Sequence, residues 1–225
     1  LDFREFGTGV VAFYSFNEQT RDISGNGHDL TNFGVDFAND QNGIPNSAAR
    51  FRSNGETPPS TDFNNSFGGN WLSFGTNNPL EGLDEWSISI WFKPENFLAP
   101  AFGNAAASRI FYQERVVSLN INGNGNFLNF AIGNGNWYKV GGNILNNGES
   151  GFSENGPWIH LVLTGKGNQI QVYSNGEKFS NTVGLGPVGQ SGGIAGIGSH
   201  YDGLISQFSI HDRALSEDEV RLAYF

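Results

Sequence analysis

The clearest strand pattern in the chain is the run Trp86-Ser87-Ile88-Ser89-Ile90-Trp91-Phe92-Lys93. Side chains of a β-strand point alternately to its two faces. Large apolar residues occupy every second position from Trp86 to Phe92, and serine, serine, tryptophan and lysine occupy the others. This strict period of two predicts a strand with one face in a hydrophobic core and a more polar opposite face.

Other short apolar runs, separated by turn residues, follow along the 225-residue chain. Asn122-Gly123-Asn124-Gly125 and Asn175-Gly176 are typical of hairpin turns. The 32 glycines and 20 phenylalanines indicate short aromatic strands joined by tight turns. Besides Trp86–Lys93, we predict strands at Val10–Phe16, Leu30–Phe37, Ala48–Phe51, Trp71–Phe74, Arg109–Glu114, Val116–Asn122, Asn126–Ile132, Trp158–Thr164, Gln169–Ser174, Glu177–Ser180, Ile194–Gly198 and Gly203–His211.

About twelve to fourteen short strands fit two stacked antiparallel sheets, so the expected fold class is an all-β sandwich. No linker or change of composition divides the chain, and we expect one domain over residues 1–225, with 1–9 as a linker or an edge. Ser216 and Glu219 have the spacing of a capping box, which predicts a short C-terminal helix.

Charge and composition exclude several function classes. A net charge of −10 would repel phosphate backbones, so we expect no nucleic-acid partner. The absence of Cys excludes disulfides and thiol chemistry, and four scattered histidines make a poor zinc site. No apolar run approaches the ~20 residues of a membrane span. The chain begins without Met and carries no signal peptide, so we expect it to be processed or excised from a longer protein.

The loop Arg21-Asp22-Ile23-Ser24-Gly25-Asn26-Gly27-His28-Asp29-Leu30 follows the first predicted strand. Carboxylates, together with carbonyls that glycine lets turn toward one point, are the oxygen ligands that calcium prefers. The same residue types also form ordinary tight turns. Both interpretations of this loop stay open from the residues alone.

Six segments, in order, resemble the laminin-G-like, concanavalin A-like jelly-roll modules of secreted bacterial proteins. They are Val11–Phe16, Arg21–Gly27, Trp86–Pro94, Trp158–Val162, Val172–Gly176 and Asp212–Ser216. The resemblance implies a jelly-roll β-sandwich whose first and last strands are neighbours. It also implies that the protein is secreted or lies at the cell surface, and that the module is fused to a catalytic or adhesin domain.

The resemblance further implies a structural calcium at the opening loop. Its ligands would be Asp22 and the carbonyl or amide oxygens of Gly25 and Asn26, with an acidic residue after the run Gly203-Leu204-Ile205. Ser206 and Gln207 stand at that place here and would offer neutral oxygens, which bind calcium more weakly than a carboxylate.

Catalytic patterns are missing from the sequence. Retaining glycosidases need two carboxyl groups about 5–5.5 Å apart on one face, and no Glu-x-Asp-x-x-Glu run is present. His160 alternates with Ile159 and Leu161, as a packing residue of a strand does. We therefore expect no enzyme activity.

Sugar binding typically requires an aromatic ring for the apolar face of the sugar and polar groups for its hydroxyls. Two sets of residues offer both, namely Asn134, Asn136, Trp137 and Tyr138, and His200, Tyr201 and Asp202. The alternatives are a core strand at Trp137–Val140 and a hairpin tip at His200–Tyr201. A secondary candidate is the polar side of the central strands, with Ser89, Trp91, Lys93, His160, Thr164, Gln171 and Tyr173.

The sequence thus predicts a non-catalytic, calcium-stabilised carbohydrate-binding module of a larger secreted protein, monomeric by itself. The alternative functions are an adhesion or spacer module that binds protein or nothing, and an unrecognised glycosidase or lyase.

Overall fold

The chain forms two antiparallel sheets in a computed structural model. The structure describes residues 8–53, 67–96, 108–121, 128–133, 137–140, 156–167, 169–183 and 188–225. Within these ranges there are fifteen strands, slightly more than predicted. They are β1 Val10–Tyr14, β2 Thr31–Phe33, β3 Asp36–Ala38, β4 Ala48–Phe51, β5 Trp71–Gly75, β6 Glu85–Asn96, β7 Ser108–Gln113, β8 Val117–Ile121, β9 Leu128–Gly133, β10 Trp137–Val140, β11 Ile159–Lys166, β12 Gln169–Ser174, β13 Glu177–Val183, β14 Ala195–Ile197 and β15 Asp202–His211, and one helix follows, α1 Glu217–Tyr224.

The sheets have eight and seven strands. The order of the first is β13-β12-β11-β6-β15-β4-β3, with β1 also paired to β15, and that of the second is β10-β9-β8-β7-β14-β5-β2. In the pairing of β1 with β15, Tyr14 lies opposite Phe208. The first and last strands are therefore neighbours, and the predicted sandwich of two antiparallel sheets is confirmed.

The core lies between the sheets, and alternate residues of β6 point into it, as the sequence pattern predicts. Trp86, Ile88, Ile90 and Phe92 all belong to the large apolar cluster and are at most 2% exposed. Burying such side chains stabilises the fold by roughly 1.5–3 kcal/mol each. The predicted orientation of this strand is confirmed.

The opposite face of β6 is covered by α1. The Ser216 hydroxyl oxygen accepts the main-chain N–H of Glu219, and the Glu219 carboxylate accepts the main-chain N–H of Ser216. The predicted capping box is therefore confirmed. The buried helix residue Val220 packs with Val162, Tyr173 and Leu215 in a small apolar cluster. The helix thus forms a third layer on the eight-stranded sheet.

The single predicted strand Leu30–Phe37 is wrong, because the chain turns in the middle of it. Gly34 has a φ of 84°, a left-handed conformation that glycine adopts without steric cost. The side chain of Asn32 holds the turn by bonding both the N–H and the carbonyl of Val35. β2 pairs with β5 and β3 pairs with β4, so this turn carries the chain from one sheet to the other.

Candidate functional site

Asp22 organises the opening loop through its carboxylate. Oδ1 accepts the main-chain N–H groups of Phe13 (3.0 Å) and Ser24 (2.9 Å), and Oδ2 accepts that of His28 (3.1 Å). Burial opposes its ionisation, but the hydrogen bonds from Ser24, Phe13 and His28 outweigh burial and lower the pKa of Asp22. The carboxylate therefore stays ionised and ties the loop to β1.

The residues predicted to bind calcium lie on two sides of β1. Phe13 directs its N–H to Asp22 and its carbonyl to Ile23, so the loop flanks the edge of β1 that faces away from β15. Ser206 and Gln207 lie on β15, at a bulge where Gln207 has a φ of 47°. The loop with Asp22, Gly25 and Asn26 is therefore bonded to the edge of β1 opposite β15, and calcium binding by these five residues stays a prediction.

The side chain of Asn26 also ties the loop to β1. The amide nitrogen of Asn26 donates to the carbonyls of Val10 and Val11, both at 3.1 Å. Gly25 has a φ of 91° and shapes the turn. The described residues hold no cluster of three or more His, Asp or Glu arranged for a metal. A calcium ion at this loop stays a prediction.

The predicted sugar platform at His200 and Tyr201 is wrong. Their exposed fractions are 2% and 0%, and the ring of Tyr201 packs 6.1 Å from that of Phe51 in the core. Asp202 has a structural role, since its two oxygens accept the N–H and the hydroxyl of Ser53, each at 2.7 Å. The segment between the last two strands is short, so its aromatic ring turns into the sandwich instead of toward solvent.

The second predicted platform falls partly outside the described residues. Asn134 and Asn136 lie there, while Trp137 and Tyr138 begin β10, which forms one edge of the seven-stranded sheet. The alternative that Trp137–Val140 is a strand is confirmed. Sugar binding by these four residues stays a prediction.

The polar side of the central strands is largely enclosed. Ser89, Trp91, His160, Thr164 and Tyr173 are all at most 8% exposed. His160 bonds to Ser89 (2.9 Å) and stacks on Trp91 with ring centroids 4.9 Å apart. Burial lowers the pKa of His160 to about 3, so the imidazole is neutral. This side serves packing beneath α1. It does not form an open binding face.

The seven-stranded sheet carries an aromatic row on its outer face that sequence reasoning missed. Leu72 and Phe74 point into the core, so Trp71 points outward. The Trp71 ring lies between those of Phe33 and Phe67, with centroids 4.7 Å and 4.1 Å away and ring planes 6° and 16° apart. Phe33 is 48% exposed, so one end of the stack faces solvent.

The row continues across β14 because Gly196 has no side chain. An added Cβ at Gly196 would lie 2.5 Å from Phe67 Cε1 and 2.8 Å from Trp71 Cε3. Tyr112, opposite Gly196 on β7, meets Phe67 edge to face at 6.3 Å. The guanidinium of Arg109 lies 4.0 Å from the centre of the Tyr112 ring, a cation–π contact. Phe33, Trp71, Phe67 and Tyr112 are called the aromatic row below.

Polar groups flank the aromatic row at its Tyr112 end. Ser118 lies opposite Tyr112 and Asn120 lies opposite Arg109 in the pairing of β7 with β8. Asn120 donates to Ser118 at 2.7 Å. Arg109, Tyr112 and Ser118 are at most 8% exposed, whereas Asn120 is partly exposed and can offer its amide to a ligand.

An open groove lies beside β3 and β4. It has a volume of about 470 Å³ and is lined by Glu18, Asp36, Phe37, Asn46, Arg50 and Arg52.

In the described ranges, α1 is too short and too polar to span a membrane.

Comparisons with solved structures find the same fold at low sequence identity. Domain 4 of AbnA, a GH43 extracellular arabinanase from Geobacillus stearothermophilus, in complex with arabinotriose, is 18% identical with a TM-score of 0.61, over 96% of this chain and 98% of that chain. The binding domain of botulinum neurotoxin DC in complex with SialylT is 14% identical with a TM-score of 0.64, over 97% of this chain and 51% of that chain. The binding domain of botulinum neurotoxin serotype D is 16% identical with a TM-score of 0.63, over 96% and 51%.

These likenesses show the fold, and the chain spans about half the length of the neurotoxin binding domains. No curated protein sequence matches the chain. The Laminin_G_3 family model, described as concanavalin A-like lectin/glucanases superfamily, matches residues 63–221, which is more than half of the chain. The chain belongs to this superfamily of concanavalin A-like lectins and glucanases.

Proposed function

We propose that the chain is a non-catalytic carbohydrate-binding module of a larger extracellular protein, and that the aromatic row is its binding surface. The observation that carries this proposal is the stack of Phe33, Trp71 and Phe67 on the outer face of a sheet, with Phe33 half exposed. Large aromatic side chains on a sheet face are normally buried, and an exposed aromatic stack marks an interaction surface.

The geometry of the row suits a sugar ring. Trp71 fixes Phe33 by stacking, so Phe33 loses little conformational freedom when a ligand binds. The outer side of Phe33 offers a flat apolar surface to the C–H face of a pyranose or furanose ring. At the other end Asn120 is partly exposed and can meet sugar hydroxyls, whereas Arg109 and Ser118 are buried and hold Tyr112 and Asn120 in place.

The comparisons support the ligand class. Two solved neighbours of the same fold are complexes with arabinotriose and with SialylT, and the superfamily includes lectins. The superfamily also includes glucanases, so assays for polysaccharide hydrolysis belong in the same experiment. The fold alone does not determine function, and the proposal therefore depends on the aromatic row.

The test is binding to a glycan array and affinity electrophoresis in plant, algal and bacterial polysaccharides, with arabinotriose as a soluble probe. Phe33→Ala should weaken binding at least about tenfold, equivalent to about 1.4 kcal/mol. The matched control is Phe225→Ala, since Phe225 is 91% exposed and lies at the C-terminal end of the chain. If the protein binds none of the glycans tested, an adhesion or spacer module would be favoured.

A further inference from the structure

The open groove beside β3 and β4 is independent of the aromatic row. β3 is the edge strand of the eight-stranded sheet, whereas the row lies on the other sheet. The groove has a volume of about 470 Å³, which is within the ~300–1,000 Å³ of small-ligand sites. Its six lining residues offer two guanidiniums, two carboxylates and an amide, together with Phe37, whose side chain packs against the core cluster.

The charged groups of the groove are held in place by ion pairs. Asp36 Oδ2 accepts from Arg52 Nη1 at 2.5 Å, and Glu95 accepts from Arg50 Nη1 at 2.5 Å. A guanidinium has five N–H donors, and each of these contacts engages Nη1 alone. Among the residues that the structure describes, Nη2 and Nε of Arg50 and Arg52 have no hydrogen-bond partner. The groove therefore offers oriented donors next to carboxylate acceptors.

The rim of the groove holds two strained residues. Glu18 and Asn46 have φ values of 52° and 58°, in the left-handed region that residues with a Cβ rarely adopt. They hold each other there, since the N–H of Glu18 donates to the Asn46 carbonyl at 2.9 Å and Asn46 Nδ2 donates to Glu18 Oε1 at 2.5 Å. The left-handed conformation is unfavourable for Glu18 and less so for Asn46, because Asn adopts it more readily, and such conformations are concentrated at ligand sites.

Charge balance selects the class of ligand. Arg50 and Arg52 are paired with the carboxylates of Glu95 and Asp36, and Glu18 adds one further negative charge. The whole chain carries −10. An anionic ligand would be repelled, whereas the hydroxyls of a neutral sugar can both donate to carboxylates and accept from guanidiniums.

We propose that this groove is a second saccharide site, which binds a neutral sugar unit through the polar side chains of Asp36, Arg52, Asn46 and Glu18. The proposal takes its ligand class from the proposed function, but it uses different residues on a different sheet. The two sites would let one module contact a branched or folded glycan at two points.

The test is an NMR titration of the isotope-labelled chain with the methyl glycosides of galactose, glucose, xylose and arabinose, and with galacturonic acid as the charged counterpart of galactose. At least one neutral sugar should shift the backbone amides of Asp36, Phe37 and Asn46. The double variant Asp36→Ala/Arg52→Ala should weaken that response at least about tenfold, or about 1.4 kcal/mol. Both side chains are at least half exposed, so the variant should fold.

The matched control is Glu85→Ala/Lys166→Ala, which removes another exposed ion pair (3.0 Å) and should leave the titration unchanged. Phe33→Ala should also leave the groove response unchanged, which separates this proposal from the one for the aromatic row. The groove proposal would be overturned by a lack of groove shifts with every neutral sugar, by full affinity in the double variant, or by tighter binding of galacturonic acid than of galactose.

Discussion

The ring of Tyr224, in the last turn of α1, stacks on Trp91 of β6 with centroids 5.5 Å apart and planes 11° apart. His160 of β11 lies 4.9 Å from Trp91 and 6.1 Å from Tyr224, so three rings form one cluster. The helix thereby covers the side of the eight-stranded sheet that the sequence would leave polar and open. It also excludes that side as a binding face.

Tyr224→Ala should lower the free energy of unfolding by about 2 kcal/mol, because aromatic contacts with Trp91 and His160 are lost along with buried apolar area. Urea denaturation measures the change. Leu222→Ala, on the same helix and 54% exposed, is the control and should change stability by less than about 0.5 kcal/mol. Equal losses in the two variants would show that α1 does not depend on this stack.

The strands were predictable wherever the apolar period was regular. β12 was predicted with its bounds correct, and β6 within a few residues at its ends. The capping box of α1 was readable because Ser216 and Glu219 are local in sequence. A period of two identifies the core face of a strand, but it does not reveal which outer face another element will cover.

The aromatic row shows what local patterns cannot provide. Trp71 alternates with the core residues Leu72 and Phe74, so its outward direction was readable. Phe33, Gly196 and Tyr112 join it only because β2, β14 and β7 are its neighbours in the sheet, and strand order is a long-range property. Tyr201 illustrates the opposite error, since a ring in a Gly-rich segment was expected outside and lies in the core.

Gly196→Ala should disrupt the aromatic row, because the added methyl group would overlap the rings of Phe67 and Trp71. We expect a loss of about 1–3 kcal/mol of stability from overpacking, and weaker glycan binding at temperatures where the variant is folded. Gly193→Ala is the control, since its new methyl group would meet only the Ser191 hydroxyl at 3.2 Å. Normal ring packing and glycan affinity in Gly196→Ala would contradict the assigned role of the row.

Asp22→Ala should lower the free energy of unfolding by about 2 kcal/mol, because three main-chain N–H groups lose their acceptor. Asp36→Ala, which removes an exposed ion pair, should cost less than about 1 kcal/mol. The calcium prediction adds that EDTA lowers the melting temperature of the native chain and has no further effect on Asp22→Ala. An unchanged melting temperature in EDTA would remove calcium and leave the hydrogen-bonding role of Asp22 intact.

His160 should make the protein less stable in mild acid. Burial lowers its pKa in the folded chain from 6.5 to about 3, so between these values the unfolded chain binds a proton that the folded chain does not. Stability therefore falls as pH drops from 6.5 toward 3, by up to about 5 kcal/mol from this group. His211, with a pKa lowered to about 4 by burial and by Arg213, acts in the same direction.

Urea denaturation from pH 7 to pH 4 measures this dependence. His160→Gln should flatten the slope of stability against pH, since glutamine does not titrate. His211, and toward pH 4 also Asp22 and Glu219, would supply the slope that remains. Ser89→Ala removes the hydroxyl that bonds to His160 and is the control: it should lower stability while keeping the histidine slope. A slope in His160→Gln equal to that of the native chain would mean that His160 binds its proton as readily in the folded chain as in the unfolded one, and the lowered pKa assigned to it would be wrong.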